Sequence, residues 1–200
     1  MKIGVIGAGR IGGTLARKWS AAGHELMVCS RDSNSPRAQA LLKDVGGKAR
    51  LGSLEETAAF GEVVVFAIPG GEMPETVKLL GAQLDGKLVI DATNAVGRPV
   101  MNSIDAIMTA APRAQVYRAF NSLPWEDFAN PTFGDTVADL FYCGPAANQK
   151  VLDQLIRDVG LEAQYVGDAT RAGLIDAVAG LFFSLSQRLG RGIAFKVLKR

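Results

Sequence analysis

The stretch that opens the chain constrains it more than anything after it. Lys2 to Ile6 is a short apolar, β-branched run that leads into Gly7-Ala8-Gly9-Arg10-Ile11-Gly12-Gly13. Thr14-Leu15-Ala16-Arg17-Lys18-Trp19 follows with helical spacing and closes at Ala21-Ala22-Gly23. Glu25 to Cys29 then reads as a second strand, so a βαβ unit is complete within the first thirty residues. In Gly7-x-Gly9-x-x-Gly12 each glycine has its own geometric duty. Gly7 permits the tight turn out of the strand, and Gly9 lets the backbone approach a pyrophosphate. Gly12 allows close helix–strand packing, while the helix N-terminus turns free N–H groups toward the anion. Three glycines at this spacing are weak evidence alone. Between a strand and a helix they form a dinucleotide fingerprint that takes in Ala8, Arg10 and Ile11.

The alternation continues along the chain. A helix is expected from about Pro36 to Val45, and Ser53-Leu54-Glu55-Glu56 has the form of a capping box opening a helix to Phe60. Glu62 to Ile68 is continuously apolar and stops at Pro69-Gly70-Gly71, which suggests a strand covered on both faces. A helix from about Pro74 to Leu84 and a strand from Lys87 to Ile90 follow. Gln115 to Phe120, Asp139 to Cys143 and Glu162 to Val166 read as further strands, with a helix over about Ala146 to Val159. The pattern is α/β, a doubly wound, mostly parallel sheet over residues 1–167. From Ala169, Leu174, Val178, Leu181, Leu185 and Leu189 recur at helical spacing, widened by Phe182 and Phe183, so residues 168–200 read as a short C-terminal helical extension.

Composition narrows the function classes. Hydrophobic residues make up 48% of the chain and charged residues 21%, with a net charge of +2, which argues against disorder and against nucleic-acid binding by bulk charge. The +2 hides an asymmetry. After Asp176 come five basic residues and no acidic one, and the remainder holds 17 basic against 20 acidic residues. No apolar run is read as a membrane span, and glycines interrupt the N-terminus too early for a secretory leader, so a soluble cytoplasmic protein is expected. Cys29 and Cys143 read as buried thiols, Trp19 as a packing residue, and His24 as a turn residue. No cluster of metal-ligating residues is read.

The end of the second strand separates NAD from NADP. An NAD enzyme usually places a carboxylate there for the ribose 2′-hydroxyl. This chain has Ser30-Arg31, a hydroxyl beside a guanidinium, which suits a 2′-phosphate; Asp32 stands one residue further on. NADP is the expected cofactor. Arg10, a cation in the first turn of a helix, opposes the helix dipole and asks for an anion nearby. Ala67-Ile68-Pro69 and Thr93-Asn94 end successive strands, where a doubly wound sheet holds its ligand, and are expected to flank the nicotinamide half.

On Gly7-x-Gly9-x-x-Gly12, Ser30-Arg31, the strand Val63 to Pro69 and Ala119-Phe120-Asn121-Ser122, the chain resembles the coenzyme F420-dependent NADP oxidoreductases. Trp125-Glu126-Asp127-Phe128 and Asp139 to Gly144 extend the resemblance over essentially the whole chain. It implies a Rossmann fold, a homodimer, and hydride exchange between NADP(H) and a deazaflavin; superfamily relatives reduce flavins and, through them, ferric iron. The archaeal F420 enzymes carry a histidine in the deazaflavin pocket at the position that aligns with Asn121. The alignment makes Asn121 and Trp125 candidates for the acceptor pocket.

Hydride transfer between two stacked rings needs no obligatory acid or base, and no catalytic His/Asp/Lys set is read in the chain. A hydroxy-acid or sugar dehydrogenase needs one. The expected function is therefore NADPH-dependent reduction of a flavin-like or deazaflavin acceptor. The alternatives are an NADP(H)-binding redox sensor without catalysis, or a ferric or quinone reductase.

Overall fold

Strand and helix alternate without a break over the first 118 residues of the computed structural model, which describes all 200. In order come β1 (Lys2–Ile6), α1 (Arg10–Ala21), β2 (Glu25–Cys29), α2 (Pro36–Val45), β3 (Ala49–Gly52) and α3 (Leu54–Phe60). β4 (Val63–Phe66), α4 (Met73–Leu84), β5 (Leu88–Asp91), α5 (Ile104–Ala110) and β6 (Gln115–Arg118) complete the series. The six strands are all parallel, in the order β3-β2-β1-β4-β5-β6. This is the Rossmann arrangement, and the winding reverses between β1 and β4, so a crevice opens at their carboxyl ends.

The central strands are apolar on both faces because both faces are covered. Ile3, Val5, Val63, Val65 and Ile90 pack with Leu15 and Trp19 of α1 in one core. Ile6, Val64, Phe66 and Val89 pack with Val77 and Leu80 of α4 in the other. Each such side chain taken fully from water contributes roughly 1.5–3 kcal/mol. The capping box of α3 forms as read: Glu56 N–H donates to Ser53 Oγ at 3.1 Å, and Ser53 N–H to Glu56 Oε2 at 2.8 Å.

Beyond β6 lie α6 (Trp125–Ala129), a hairpin of β7 (Thr132–Phe133) and β8 (Thr136–Val137), then β9 (Asp139–Tyr142), α7 (Gln149–Val159), β10 (Glu162–Tyr165) and α8 (Ala172–Leu189). β9 and β10 pair in parallel, and one antiparallel bridge between Arg118 and Cys143 hooks them to the edge of the main sheet. Five elements were not read from the sequence: β3, α5, α6 and the hairpin strands. All are short, and β3 is an edge strand whose Ala-Arg-Leu-Gly is too brief for its alternation to stand out.

The C-terminal segment differs from expectation in two ways. α8 docks through Ala172, Ile175, Asp176, Ala179 and Phe182, while Leu174, Leu181 and Leu189 of the leucine stripe are 54%, 50% and 63% exposed. The basic tail is not a helical face, since only Arg188 lies on α8. Past it the chain is non-helical and returns to β9, where Asp139 N–H donates to the Phe195 carbonyl at 3.0 Å and Lys196 pairs with Asp139 and Glu162. Contrary to the sequence reading, Ala169–Leu189 has the length and mean hydropathy (1.2) of a membrane span. Asp176 interrupts it, however, and is committed to the body of the protein.

Candidate functional site

A groove of about 660 Å³ lies over the carboxyl ends of β1, β2 and β4. Its floor is the turn from β1 into α1. Gly7 has φ of 114°, and a Cβ there would stand 2.4 Å from the Ala67 carbonyl oxygen. A Cβ on Gly12 would stand 1.9 Å from the Gly7 oxygen, so α1 can sit this close to β1 only with glycine. Gly9 is the N-cap of α1; it offers no capping side chain, and a Cβ there would meet nothing within 4 Å. The first-turn N–H groups are thus left for an anion in the groove, with open space above them.

Gly7, Ala8, Gly9, Ser30, Arg31, Ala67, Ile68 and Pro69 all line this groove, as the sequence reading has them. Arg37 joins them from the first turn of α2. Asp32 also lines the groove, but it is tied into its own loop: its Oδ1 accepts from Asn34 N–H at 2.9 Å, and its carbonyl accepts from the Ser30 and Ser35 hydroxyls. Arg31 is 80% exposed in its side chain and pairs across the groove with Glu72, on the turn after β4. That pairing raises the Arg31 pKa further, through its hydrogen bond to Glu72 first and the charge of Glu72 second. Hydroxyl, two guanidinium groups and open floor suit a 2′-phosphorylated dinucleotide.

The remaining candidates lie elsewhere. Arg10 and Ile11 line a second cavity of about 290 Å³, together with Asn94, Asn121 and Trp125. Thr93 lines neither space. It is 2% exposed, and its N–H and hydroxyl both donate to Asp91 Oδ1, at 3.0 and 2.7 Å, which turns the side chain inward. Sequence reasoning also missed the aromatic roof of the second cavity, Phe182 and Phe183 from α8, and its basic rim, Arg191.

Behind the second cavity is a buried polar cluster. Arg118 is fully buried, a signal visible in the sequence as an arginine inside a strand. Its Nε and Nη2 reach Asp176 Oδ1 at 2.8 and 2.7 Å, and Nη2 donates to Asn94 Oδ1 at 2.8 Å. Nη1 donates to the Asp91 carbonyl at 3.1 Å and to the Thr93 carbonyl. Asn94 Nδ2 in turn donates to the Asn121 carbonyl at 2.9 Å, so both ends of its amide are engaged. The adjoining wall is less settled. Phe120 holds φ of 61°, and Asn121 Oδ1, Ser122 Oγ and Trp125 Nε1 are sealed from water without a partner. Each such orphan costs about 1–3 kcal/mol, and costs of this kind gather at functional sites.

Titration marks one group. Asp127, buried on α6, has its carboxyl pushed up to about 7 by burial first and by neighbouring Glu126 second. Cys143 is pushed up to about 11 by burial, which leaves it an inert thiol.

Residues 2–95 match the model of the family described as NADP oxidoreductase, coenzyme F420-dependent. An F420-dependent NADP reductase of Methanocaldococcus jannaschii is 25% identical over 93% of this chain and 92% of its own length. The structure of a proposed F420-dependent NADP reductase from Arthrobacter sp. FB24 superposes with a TM-score of 0.87 at 25% identity, covering all of both chains. Pyrroline-5-carboxylate reductase 2 of Macaca fascicularis is 28% identical over 90% of this chain, which spans about half, 54%, of that relative. The resemblance read from the motifs is borne out: the chain is similar to NADP-binding reductases over most of its length.

Proposed function

We propose that this chain, with the fold and groove of the NADP-dependent oxidoreductases, moves a hydride between NADP(H) and a flavin-like or deazaflavin acceptor. NADP(H) supplies the hydride. The N-terminus of α1 and the bare backbone at Gly9 carry the pyrophosphate, and Ser30 and Arg31 carry the 2′-phosphate. Ala67, Ile68 and Pro69 flank the nicotinamide, whose reactive face is turned toward the second cavity. There Asn121 and Trp125 meet the acceptor ring, under the cover of Phe182 and Phe183.

The observation that carries this reading is the lining of the second cavity. It contains amides, a hydroxyl, aromatics and two arginines, but no carboxyl, imidazole, thiol, phenol or amine. A carbonyl or imine needs a proton placed during reduction; a ring that accepts hydride and delocalises the charge does not need one from the wall. An open cavity over the nicotinamide side also speaks against a sensor without catalysis. Stopped-flow oxidation of NADPH with F420, FMN and FAD tests the proposal; no turnover with any of the three sinks it.

Reduction of a small cyclic imine is the second reading. The pyrroline-5-carboxylate reductase similarity favours it, with Asp127, two residues beyond Trp125 of the cavity wall and holding its proton up to about pH 7, as the proton source. The exposed leucines of α8 further support a homodimer, with Leu174, Leu181 and Leu189 as its contact stripe.

A further inference from the structure

We propose that the acceptor is an anion, and that Arg10, backed by Arg191, recognises its phosphate or carboxylate at the rim of the second cavity. The inference rests on the reading that this cavity takes the acceptor. Arg10 lies in the fingerprint, yet it faces the second cavity and is absent from the lining of the dinucleotide groove. Its guanidinium stands 5.7 Å from the centre of the Trp125 ring, which holds it over the cavity by cation–π attraction.

Arg10 makes no ion pair, although it sits in the first turn of α1, where the helix dipole is unfavourable to a cation and no acidic residue lies in that turn; Glu126, already bonded to Arg191, is close enough to feel its charge. Arg191 is fixed from the other side, its Nε and Nη2 donating to Glu126 Oε1 and Oε2 at 3.1 and 2.9 Å. The rim therefore carries two guanidinium groups against one committed carboxylate. Asp127, the other carboxyl of α6, is largely protonated below neutrality. Phe120, held at φ of 61°, stands in the same cavity wall. Ring recognition and charge recognition are thus separate parts of one pocket: the amides and indole read the ring, and Arg10 reads the charge.

The test pairs ligands that share a ring and differ in charge. NADP-loaded protein is titrated with FMN and with riboflavin, and with 1-pyrroline-5-carboxylate and 1-pyrroline, following binding by calorimetry. FMN is expected to bind about tenfold or more tightly than riboflavin, since a charge-assisted contact is gained. Arg10→Met is expected to remove that difference while riboflavin and NADPH affinities stay within about twofold, and Arg10→Lys to restore part of it. If only the imine pair binds, and the carboxylate form wins through Arg10, the anion inference stands while the flavin reading falls. Equal affinity within each pair overturns the inference. So does a charge preference that survives Arg10→Met, or an Arg10→Met variant that weakens NADPH instead.

Discussion

Arg118 and Asp176 meet at 2.7 Å in an ion pair that is closed to water on the arginine side and nearly so on the aspartate side. The pair joins the last strand of the parallel sheet to the C-terminal helix, and the same Nη2 that meets Asp176 donates to the Asn94 amide oxygen at the cavity. One contact thereby sets both the position of the aromatic roof and the orientation of a wall amide.

Arg118 also reaches Asp91 Oδ1 at 3.2 Å, so removing the arginine strands two buried carboxylates, whereas removing Asp176 leaves Asp91 as its counter-charge. Arg118→Met should lower stability by about 3–5 kcal/mol and Asp176→Ala by less, while the double variant Arg118→Met/Asp176→Leu should lose less than the sum. Urea midpoints of the three variants check this. Strictly additive losses would show that the two residues are not coupled.

Arg31 and Glu72 should set cofactor choice. Their ion pair is solvent-exposed and weak, so a 2′-phosphate can take Arg31 from Glu72. Arg31→Ala should weaken NADPH by about tenfold or more and leave NADH nearly unchanged, because only the phosphate is lost to it. Glu72→Gln should tighten NADPH by up to about fivefold, as a competitor is removed. Fluorescence titration with both nucleotides reads the outcome, and equal losses for NADPH and NADH in Arg31→Ala would contradict the assignment.

Asp127 should give stability a pH dependence of definite sign. Its carboxyl is raised from 3.8 to about 7 on folding, so the folded state holds a proton that the unfolded chain has already released. The associated stability is full below about pH 4 and is lost as pH rises toward 7, then stays flat. Asp127→Asn should abolish this decline and leave the variant more stable than the parent above pH 7. Parallel pH profiles of the two proteins would reject the assignment.

The leucine stripe of α8 carries the dimer proposal. Sedimentation should give about twice the chain mass for the parent, and Leu181→Asp should give the monomer with its fold intact. A monomeric parent would leave the stripe without this role.

Much of the groove was legible because its requirements are local. Gly7, Gly9 and Gly12 act through backbone geometry within six residues, and Ser30-Arg31 follows at the end of the next strand, so spacing alone locates them. The second cavity was only half legible. Asn121 and Trp125 came from the resemblance, but Phe182, Phe183 and Arg191 reach the cavity only through tertiary packing of α8, which no local pattern encodes. The α8 stripe shows the same limit, since periodicity finds an apolar face but not which face docks. Here Ala172, Ile175, Ala179 and Phe182 face the body, while Leu174, Leu181 and Leu189 face outward. Thr93 was placed in the ligand space by its position at a strand end, and a two-residue turn onto Asp91 took it out.

The central claim is direct hydride transfer to a ring in the second cavity, and isotope tracing tests it most directly. NADPH carrying deuterium at the nicotinamide C4 is mixed with protein and oxidised F420, whose reduced carbon does not exchange its hydrogen with water. The account predicts that the label appears on that carbon, with a primary isotope effect on the single-turnover rate. Oxidation of NADPH with no label on F420, and none of F420, FMN or FAD accelerating that oxidation, would contradict it.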